Sequence, residues 1–228
     1  MYLVWDFDGT LATRHGHWPG TLCEVIARER PDLTVTPADI RPHLQAGFPW
    51  HDPDVVRGAC SADDWWAAMH PVFAGAYRAG AGMETEEAQR LAQVVREVYL
   101  DPRGWRLFDD VRPVLAGLRA RGWRHLVLSN HVPELPRIVE RLGLHEHVEA
   151  VFCSAAIGAE KPHRTTFEAV FAEYPAARDG WMIGDSWRAD VQGAHAVGMR
   201  AILVRERHPE APVQCETLHD VVGVVGTP

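Results

Sequence analysis

The sequence predicts an α/β protein in which a doubly wound parallel sheet carries a smaller, helical domain. Short apolar runs with little charge alternate with stretches whose apolar residues recur at helical spacing, which is typical of parallel strands covered by helices on both faces. Residues 14–104 interrupt this alternation with helical patterns and no convincing strand. We therefore expect residues 1–13 and 105–228 to form a core domain and residues 14–104 to form a helical insert.

Five apolar runs are the predicted strands of the sheet. Each is short, rich in branched or aromatic residues and nearly free of charge, as strands buried on both faces are. In chain order these runs are residues 2–5, 126–128, 148–152, 181–183 and 201–204.

The stretches between these strands predict helices. In the first of them, apolar residues recur at intervals of three and four, with Asp110 as the predicted N-cap and Gly122 just past the end. These apolar residues are Val111, Val114, Leu115 and Leu118. The same spacing over residues 135–142, 167–171 and 191–197 predicts three further helices.

Two helices are predicted within the insert. An apolar stripe over residues 65–76 follows Ser61, and a second stripe covers residues 91–98. The connections near Thr13 and near Asp101 are candidate hinges between the insert and the core.

Composition and charge exclude several classes of protein. The 228 residues are 46% hydrophobic and 24% charged, which are globular values rather than disordered ones. A formal net charge of −8 argues against binding to nucleic acid or to an anionic membrane surface. No apolar run reaches the length of a membrane span, and Asp6 and Asp8 interrupt the only apolar stretch near the start. The expected location is the cytoplasm.

Cysteine and histidine show no metal-ligand spacing. The four cysteines lie far apart, and the thirteen histidines form no paired pattern. We expect reduced, mostly buried thiols, and we expect most of the nine tryptophans to be packing residues.

Four predicted strands end in polar residues. The carboxyl ends of parallel strands are where open α/β sheets bind ligands, so these residues are candidates for one common site. In chain order they form the segments Asp6-Phe7-Asp8-Gly9-Thr10, Ser129-Asn130, Glu160-Lys161-Pro162 and Gly184-Asp185 with Asp190 five residues beyond Asp185. Pro162 is expected to fix its loop and to begin the next helix.

Each segment alone has a simpler interpretation. The first could be an Asp-Gly turn in which one carboxylate caps local amides, and Ser129 and Asn130 are common loop residues. Lys161 could be a surface charge, and Asp190 could be an acidic residue in the first turn of a helix.

Taken together, these segments resemble the four motifs of the haloacid dehalogenase-like hydrolases. They match the patterns DxDGT, SN, KP and GDxxxxD, each after its own predicted strand and in the order of that family. The resemblance covers the whole chain, and the insert resembles the helical cap that follows the first motif in some family members. It implies a Rossmann-like core with a cap at residues 14–104.

The resemblance also implies a metal site. In the fold of that family the four strand ends meet, which would place Asp6, Asp8, Asp185 and Asp190 at one pocket. Lys161 is the only cation among the motifs. A phosphate monoester adds nearly two more negative charges, so the pocket would repel its substrate without a divalent ion. Carboxylates and phosphate oxygens suit Mg²⁺, whereas Zn²⁺ is disfavoured because the motifs hold no His or Cys.

The residue roles follow from the same resemblance. Asp6 is the expected nucleophile, forming an aspartyl-phosphate, and Asp8 the expected general acid and base, with its backbone carbonyl on the metal. Lys161 is expected to bind the phosphoryl group and neutralise charge on it. Ser129 and the Asn130 amide are the other expected phosphate ligands, while Asp6, Asp8, Asp185 and Asp190 form the metal site.

The function expected from the resemblance is Mg²⁺-dependent hydrolysis of a small phosphorylated metabolite. A phosphomutase acting on sugar phosphates uses the same residues and stays open. A haloacid dehalogenase is disfavoured because that branch lacks the second aspartate, here Asp8. A binding protein without catalysis is a further alternative. The substrate, the pathway and the oligomeric state are not specified by the sequence.

Overall fold

The computed structural model describes residues 1–228, which group by contact into two compact units. The first unit consists of Met1–Thr13, Pro53–Cys60 and Arg106–Pro228, and the second of Arg14–Asp52 and Ser61–Trp105. Residues Pro53–Cys60 therefore lie within the predicted insert in sequence but pack with the first unit. The domain boundaries remain a prediction, because a domain is defined by a core that could fold alone and not by contact grouping.

The first unit is built on a parallel sheet of six strands. The strands of the protein are β1 (Tyr2–Trp5), β2 (Ala12–Arg14), β3 (Trp105–Leu107), β4 (Arg124–Ser129), β5 (Val148–Cys153), β6 (Trp181–Gly184), β7 (Arg200–Val204) and β8 (Gln214–Cys215). The six strands of the sheet lie in the order β5-β4-β1-β6-β7-β8. The central strand β1 pairs with β4 on one side and with β6 on the other, with Trp5 opposite Val127 and Ile183. The predicted α/β fold class is confirmed.

Ten α-helices accompany the strands. Four helices lie within residues 14–104: α1 (His17–Glu29), α2 (Pro37–Ile40), α3 (Ala62–Ala81) and α4 (Thr85–Tyr99). Those that follow are α5 (Val111–Ala120), α6 (Leu135–Arg141), α7 (Ser154–Ile157), α8 (Arg164–Glu173), α9 (Gly193–Ala196) and α10 (Leu218–Val225). A π-helical turn, Trp187–Gln192, leads directly into α9.

One face of the sheet packs against α8, against the π-helical turn and against α9. Val4 and Met182, on neighbouring strands, belong to one buried cluster with Phe167, Val170 and Val191. All four residues of β1 are buried, as expected of a strand covered on both faces. Because close-packed interiors deform little, we expect this packing to hold the carboxyl ends of β1, β4 and β6 in fixed positions.

Three local features differ from the sequence predictions. Asp110 makes no cap hydrogen bond to α5, because its backbone is helical rather than extended; its carboxylate accepts from the Leu218 amide at the start of α10, at 2.9 Å. Helix α8 begins at Arg164 with His163 as its N-cap, and not at Pro162. Strands β2, β3 and β8 were not predicted, since two or three residues carry no detectable periodicity.

The second unit is held together by an aromatic cluster. Trp18 stacks on Tyr99 with ring centroids 4.1 Å apart and planes at 9°. Trp18 also contacts Phe48, Trp50, Trp65, Trp66 and Phe73. Such ring pairs contribute roughly 0.5–1.5 kcal/mol each beyond their buried area.

None of the helices combines the length and the apolar character that crossing a membrane requires.

Candidate active site

Asp6 lies directly beyond the carboxyl end of β1 and is almost fully buried. Its backbone N–H donates to the Ile183 carbonyl of β6 at 2.8 Å, so the first residue after the strand still belongs to the rigid sheet. The strand pairing therefore fixes the position of the Asp6 backbone, from which the carboxylate projects.

Lys161 provides the positive charge beside Asp6. Its ammonium group uses all three of its donors: Nζ lies 2.7 Å from Asp6 Oδ1, 2.5 Å from Asp190 Oδ1 and 2.9 Å from the Leu128 carbonyl. Burial by itself would lower the pKa of Lys161, but the carboxylates of Asp190 and Asp6 outweigh it and raise that pKa to about 12. These two carboxylates therefore favour the protonated form of Lys161, even though its side chain is only 2% exposed.

A trio of carboxylates surrounds this cation. Oxygen atoms of Asp6, Asp185 and Asp190 all lie within 4.8 Å of one another. Asp185 accepts a hydrogen bond from Thr10 Oγ1 at 3.0 Å, and Asp190 Oδ2 accepts from the Ser186 amide at 2.9 Å. Burial raises the pKa of both Asp185 and Asp190, and the neighbouring carboxylate of Asp6 adds to the rise.

The donor set of this trio fits a hard divalent cation. Three carboxylates face one ammonium group, so the fully ionised cluster would carry an excess of two negative charges in a buried position. Carboxylate oxygens are the ligands that Mg²⁺ prefers, and the trio contains no nitrogen or sulfur ligand that would favour zinc. The residues present therefore fit the magnesium ion expected from the sequence.

Two glycines permit the carboxylates to approach the backbone this closely. Gly9 has a φ of +86°, and a Cβ at this position would lie 2.3 Å from Asp185 Oδ2. A Cβ on Gly184 would lie 2.1 Å from Asp190 Oδ2. Both distances are far shorter than a van der Waals contact, so neither site has room for a side chain.

Asn130 holds the loop that carries Lys161. Its Oδ1 accepts from the Lys161 backbone N–H at 2.7 Å, and its Nδ2 donates to the Lys161 carbonyl at 2.9 Å. The sequence assigned a phosphate-binding role to the backbone amide of Asn130, and the structure adds this side-chain clamp. Ser129 is buried at the end of β4, next to Asn130.

Asp8 is half-buried and is not a member of the carboxylate trio. It lies in a tight turn in which the Gly9 amide donates to the Ala12 carbonyl at 2.8 Å and the Ala12 amide donates to the Phe7 carbonyl at 2.9 Å. The structure thus brings Asp6, Lys161, Asp185 and Asp190 into one cluster, with Asp8 on the adjoining turn.

The sequence assigned no role to two groups near the site. Ser186 caps the π-helical turn by accepting from the Ala189 amide at 3.1 Å, and a serine between a strand and a helix was the available signal. Glu160 is buried next to Lys161, and burial raises its pKa to about 7. Nothing in the local sequence distinguishes this glutamate from an exposed one.

The chain belongs to the haloacid dehalogenase-like hydrolases, because the model of that family matches residues 1–198. The resemblance carried by the four motifs is thereby confirmed, and the protein is a hydrolase of this family. Haloacid dehalogenase-like hydrolase domain-containing protein 3 of Bos taurus is 33% identical over 156 residues, which cover 67% of this chain and 60% of that protein. The match thus spans less than two thirds of that relative.

Two further proteins are similar to the chain. Phosphoserine phosphatase of Thermus thermophilus is 34% identical over 137 residues, covering 58% of this chain and 53% of that protein. The crystal structure of the putative HAD-hydrolase YfnB from Bacillus subtilis, bound to magnesium, superposes with a TM-score of 0.76. The superposition covers 98% of this chain and 97% of the YfnB chain at 18% identity, so this likeness concerns the fold alone.

Proposed function

We propose that the protein is a Mg²⁺-dependent phosphatase that hydrolyses a small phosphorylated metabolite through an aspartyl-phosphate on Asp6. The observation that carries this proposal is the buried contact of Lys161 with Asp6 and Asp190, beside Asp185. A phosphatase activity also agrees with the Thermus thermophilus relative, a phosphoserine phosphatase.

We assign four groups to the magnesium ion. They are the carboxylates of Asp6, Asp185 and Asp190 and the backbone carbonyl of Asp8. When bound, the ion would supply positive charge that offsets the negative charge of the carboxylates and of the transferring phosphoryl group.

In the first chemical step, Asp6 attacks the phosphorus atom of the substrate. Lys161 orients the Asp6 carboxylate through Oδ1, and the other carboxylate oxygen forms the new bond to phosphorus. The bond from phosphorus to the alcohol oxygen breaks, and Asp8 donates a proton to that oxygen. The positive charge of Lys161 stabilises the negative charge on the transferring group.

In the second step, water releases the phosphoryl group from Asp6. Asp8, now ionised, takes a proton from the water molecule whose oxygen attacks phosphorus, and the bond to Asp6 breaks. Inorganic phosphate and the original Asp6 carboxylate result. The Ser129 hydroxyl and the Asn130 amide are assigned to the non-bridging oxygens during both steps.

The remaining predictions stay proposals alongside this function. The substrate is a small phosphate ester, without a nucleic-acid or membrane partner, and the location is the cytoplasm. The phosphomutase alternative differs only in the acceptor of the second step, which would be a sugar hydroxyl instead of water. The presence of Asp8 continues to argue against a dehalogenase.

The proposal is tested by following phosphate release from p-nitrophenyl phosphate with Mg²⁺ and with EDTA. We expect turnover only with Mg²⁺, and we expect Asp6→Asn to lower kcat by at least about 10³-fold, because it removes the nucleophile. Asp63→Asn, at an exposed residue in α3, is the control and should retain activity. Undiminished turnover by Asp6→Asn would require another nucleophile.

The same protein discriminates the alternatives. Interconversion of sugar 1- and 6-phosphates without phosphate release would identify a mutase, and halide release from 2-chloropropionate would identify a dehalogenase. A panel of phosphorylated metabolites assayed in parallel would then define the substrate class.

A further inference from the structure

Arg205 has an unusual backbone for a residue with a side chain. It follows β7 directly and has a φ of +64°, in the left-handed region that few residues other than glycine adopt. Its N–H donates to the Cys215 carbonyl at 3.0 Å, so the residue remains attached to β8. A strained conformation of this kind persists only where the surrounding contacts enforce it, and it often marks a functional position.

The guanidinium group of Arg205 contacts two distant segments of the chain, one at Thr10 and one at Phe108 and Asp110. Its Nε donates to the Thr10 carbonyl at 2.9 Å, and Nη2 donates to Asp110 Oδ1 at 2.6 Å. The group also lies 3.9 Å from the centre of the Phe108 ring. Asp110 is fixed in turn by the Leu218 amide of α10. Both partners of the ion pair are largely buried, with side chains 16% and 10% exposed.

Thr10 connects this network to the candidate active site. Thr10 is fully buried; its carbonyl accepts from Arg205, while its Oγ1 donates to Asp185 Oδ1 at 3.0 Å. The same residue belongs to the tight turn that carries Asp8. A continuous path of hydrogen bonds therefore runs from Asp110 through Arg205 and Thr10 to the carboxylate of Asp185.

We propose that Arg205 is a positioning residue that holds the turn of Asp8 and Thr10 and, through Thr10, the carboxylate of Asp185. The inference rests on the proposed function, because it assigns Asp185 to the metal and Asp8 to proton transfer. Arg205 itself touches neither of them. A planar guanidinium has donors directed at the Thr10 carbonyl and at Asp110 simultaneously, which the single ammonium of a lysine cannot reproduce in the same geometry.

The test compares Mg²⁺ binding, measured by titration calorimetry, with kcat and KM for p-nitrophenyl phosphate. Arg205→Met alone would leave the buried Asp110 carboxylate without its cation, so the double variant Arg205→Met with Asp110→Asn is measured beside it. In the double variant the side-chain amide oxygen introduced by Asp110→Asn can still accept from the Leu218 N–H. We expect at least about tenfold weaker Mg²⁺ binding and a lower kcat, with KM within about twofold, as for other residues that orient metal ligands.

Arg200→Met is the matched control. Arg200 begins the same strand, stacks on Trp181 and lies at the opposite end of β7 from the site. We expect this variant to bind Mg²⁺ and turn over as the unchanged protein does, whereas Arg205→Lys should fall between Arg205→Met and the unchanged protein.

The outcomes separate this inference from the proposed function. If the unchanged protein binds no Mg²⁺, the proposed function fails and this inference fails with it. If the unchanged protein binds Mg²⁺ and the folded double variant binds it equally well with equal kcat, only the role of Arg205 is overturned. An equal loss in Arg200→Met would also overturn that role, since the effect would then not be specific to Arg205.

Discussion

The candidate site depends on one buried ammonium group whose three donors are all engaged. Lys161 contacts Asp6, Asp190 and the Leu128 carbonyl, so its position depends on the loop from which it projects. A buried ion stabilises a structure only when its partners are placed precisely, because removal of its hydration shell costs several kcal/mol. The side chain that fixes the loop should therefore matter as much as the charged groups themselves.

Replacing Asn130 by alanine should impair catalysis without removing any charge. The substitution leaves the Lys161 N–H and carbonyl without their partner, which frees the loop to move. We expect kcat/KM to fall about tenfold or more, because small displacements of a catalytic group are costly. Gln45→Ala removes an exposed amide that donates to the Arg41 carbonyl and should leave kcat/KM unchanged. Equal kcat/KM for the two variants would refute the clamp.

Gly9→Ala should disable the site by steric conflict. The added methyl group would lie 2.3 Å from Asp185 Oδ2, so either the turn or the carboxylate must shift. We expect kcat to fall by about 10²-fold. Gly198→Ala is the control, because Gly198 also has a positive φ, +78°, but has nothing within 4 Å of an added Cβ.

Both glycine variants carry the backbone cost of a left-handed alanine, roughly 1 kcal/mol. Thermal unfolding should show a similar loss of stability from this source, whereas only Gly9→Ala should lose activity. If Gly198→Ala were equally inactive, backbone strain rather than the contact with Asp185 would explain the effect.

At the scale of single elements, the π-helical turn after β6 accounts for the position of Asp190. The turn begins at Trp187, earlier than the apolar spacing predicts, and passes into α9 at Gly193. Within it, the carboxylate of Asp190 reaches back to the Ser186 amide and to Lys161. Turns of this type recur at functional sites because they redirect a side chain without ending the helix.

Ser186→Ala should lower both stability and activity. The substitution removes the side-chain cap that accepts from the Ala189 amide, which costs about 1 kcal/mol of unfolding free energy. Because the same turn carries Asp190, we also expect a severalfold loss of kcat. Ser61→Ala removes an equivalent cap at α3, where Ser61 accepts from the Asp64 amide at 3.1 Å, and serves as the control. It should lose similar stability in urea unfolding and keep its kcat.

At the scale of the whole molecule, stability should depend on the protonation of His125. This buried residue of β4 accepts a hydrogen bond from Trp5 Nε1 at Nδ1, 3.0 Å away, and its Nε2 lies 3.1 Å from the Leu115 carbonyl. A proton on Nδ1 would face the Trp5 N–H, donor against donor. Burial lowers the pKa of His125 from 6.5 to about 4.

The folded protein therefore favours neutral His125, and the unfolded chain binds more protons between pH 6.5 and about 4. The free energy of unfolding is therefore not reduced by His125 above pH 6.5, and it decreases as the pH falls from 6.5 to about 4. From pH 7 to pH 5 we expect His125 to account for a loss on the order of 2 kcal/mol in urea unfolding. His125→Gln should lessen the dependence on pH, and His195→Gln, at an exposed residue, should not. An unchanged dependence in His125→Gln would contradict this account.

Local patterns in the sequence predicted five of the six strands of the sheet, the principal core helices and a set of candidate site residues. The five apolar runs and the polar residues that end four of them are local patterns, and the order of the motifs along the chain identifies their family. The fold class and the family follow from these patterns. The metal and the roles of Asp6, Asp8, Lys161, Asp185 and Asp190 remain predictions.

Contacts between side chains from distant parts of the chain depend on the tertiary structure. Lys161 and Asp6 are 155 residues apart, and Arg205 and Thr10 are 195 residues apart, so no local pattern relates them. Asp110 precedes α5 at the predicted N-cap position, but its side chain makes no cap hydrogen bond and instead accepts from Arg205 and from the first residue of α10. Local spacing encodes which face of a segment is apolar, but hydrogen-bond partners depend on how the packed sheet brings distant strand ends together.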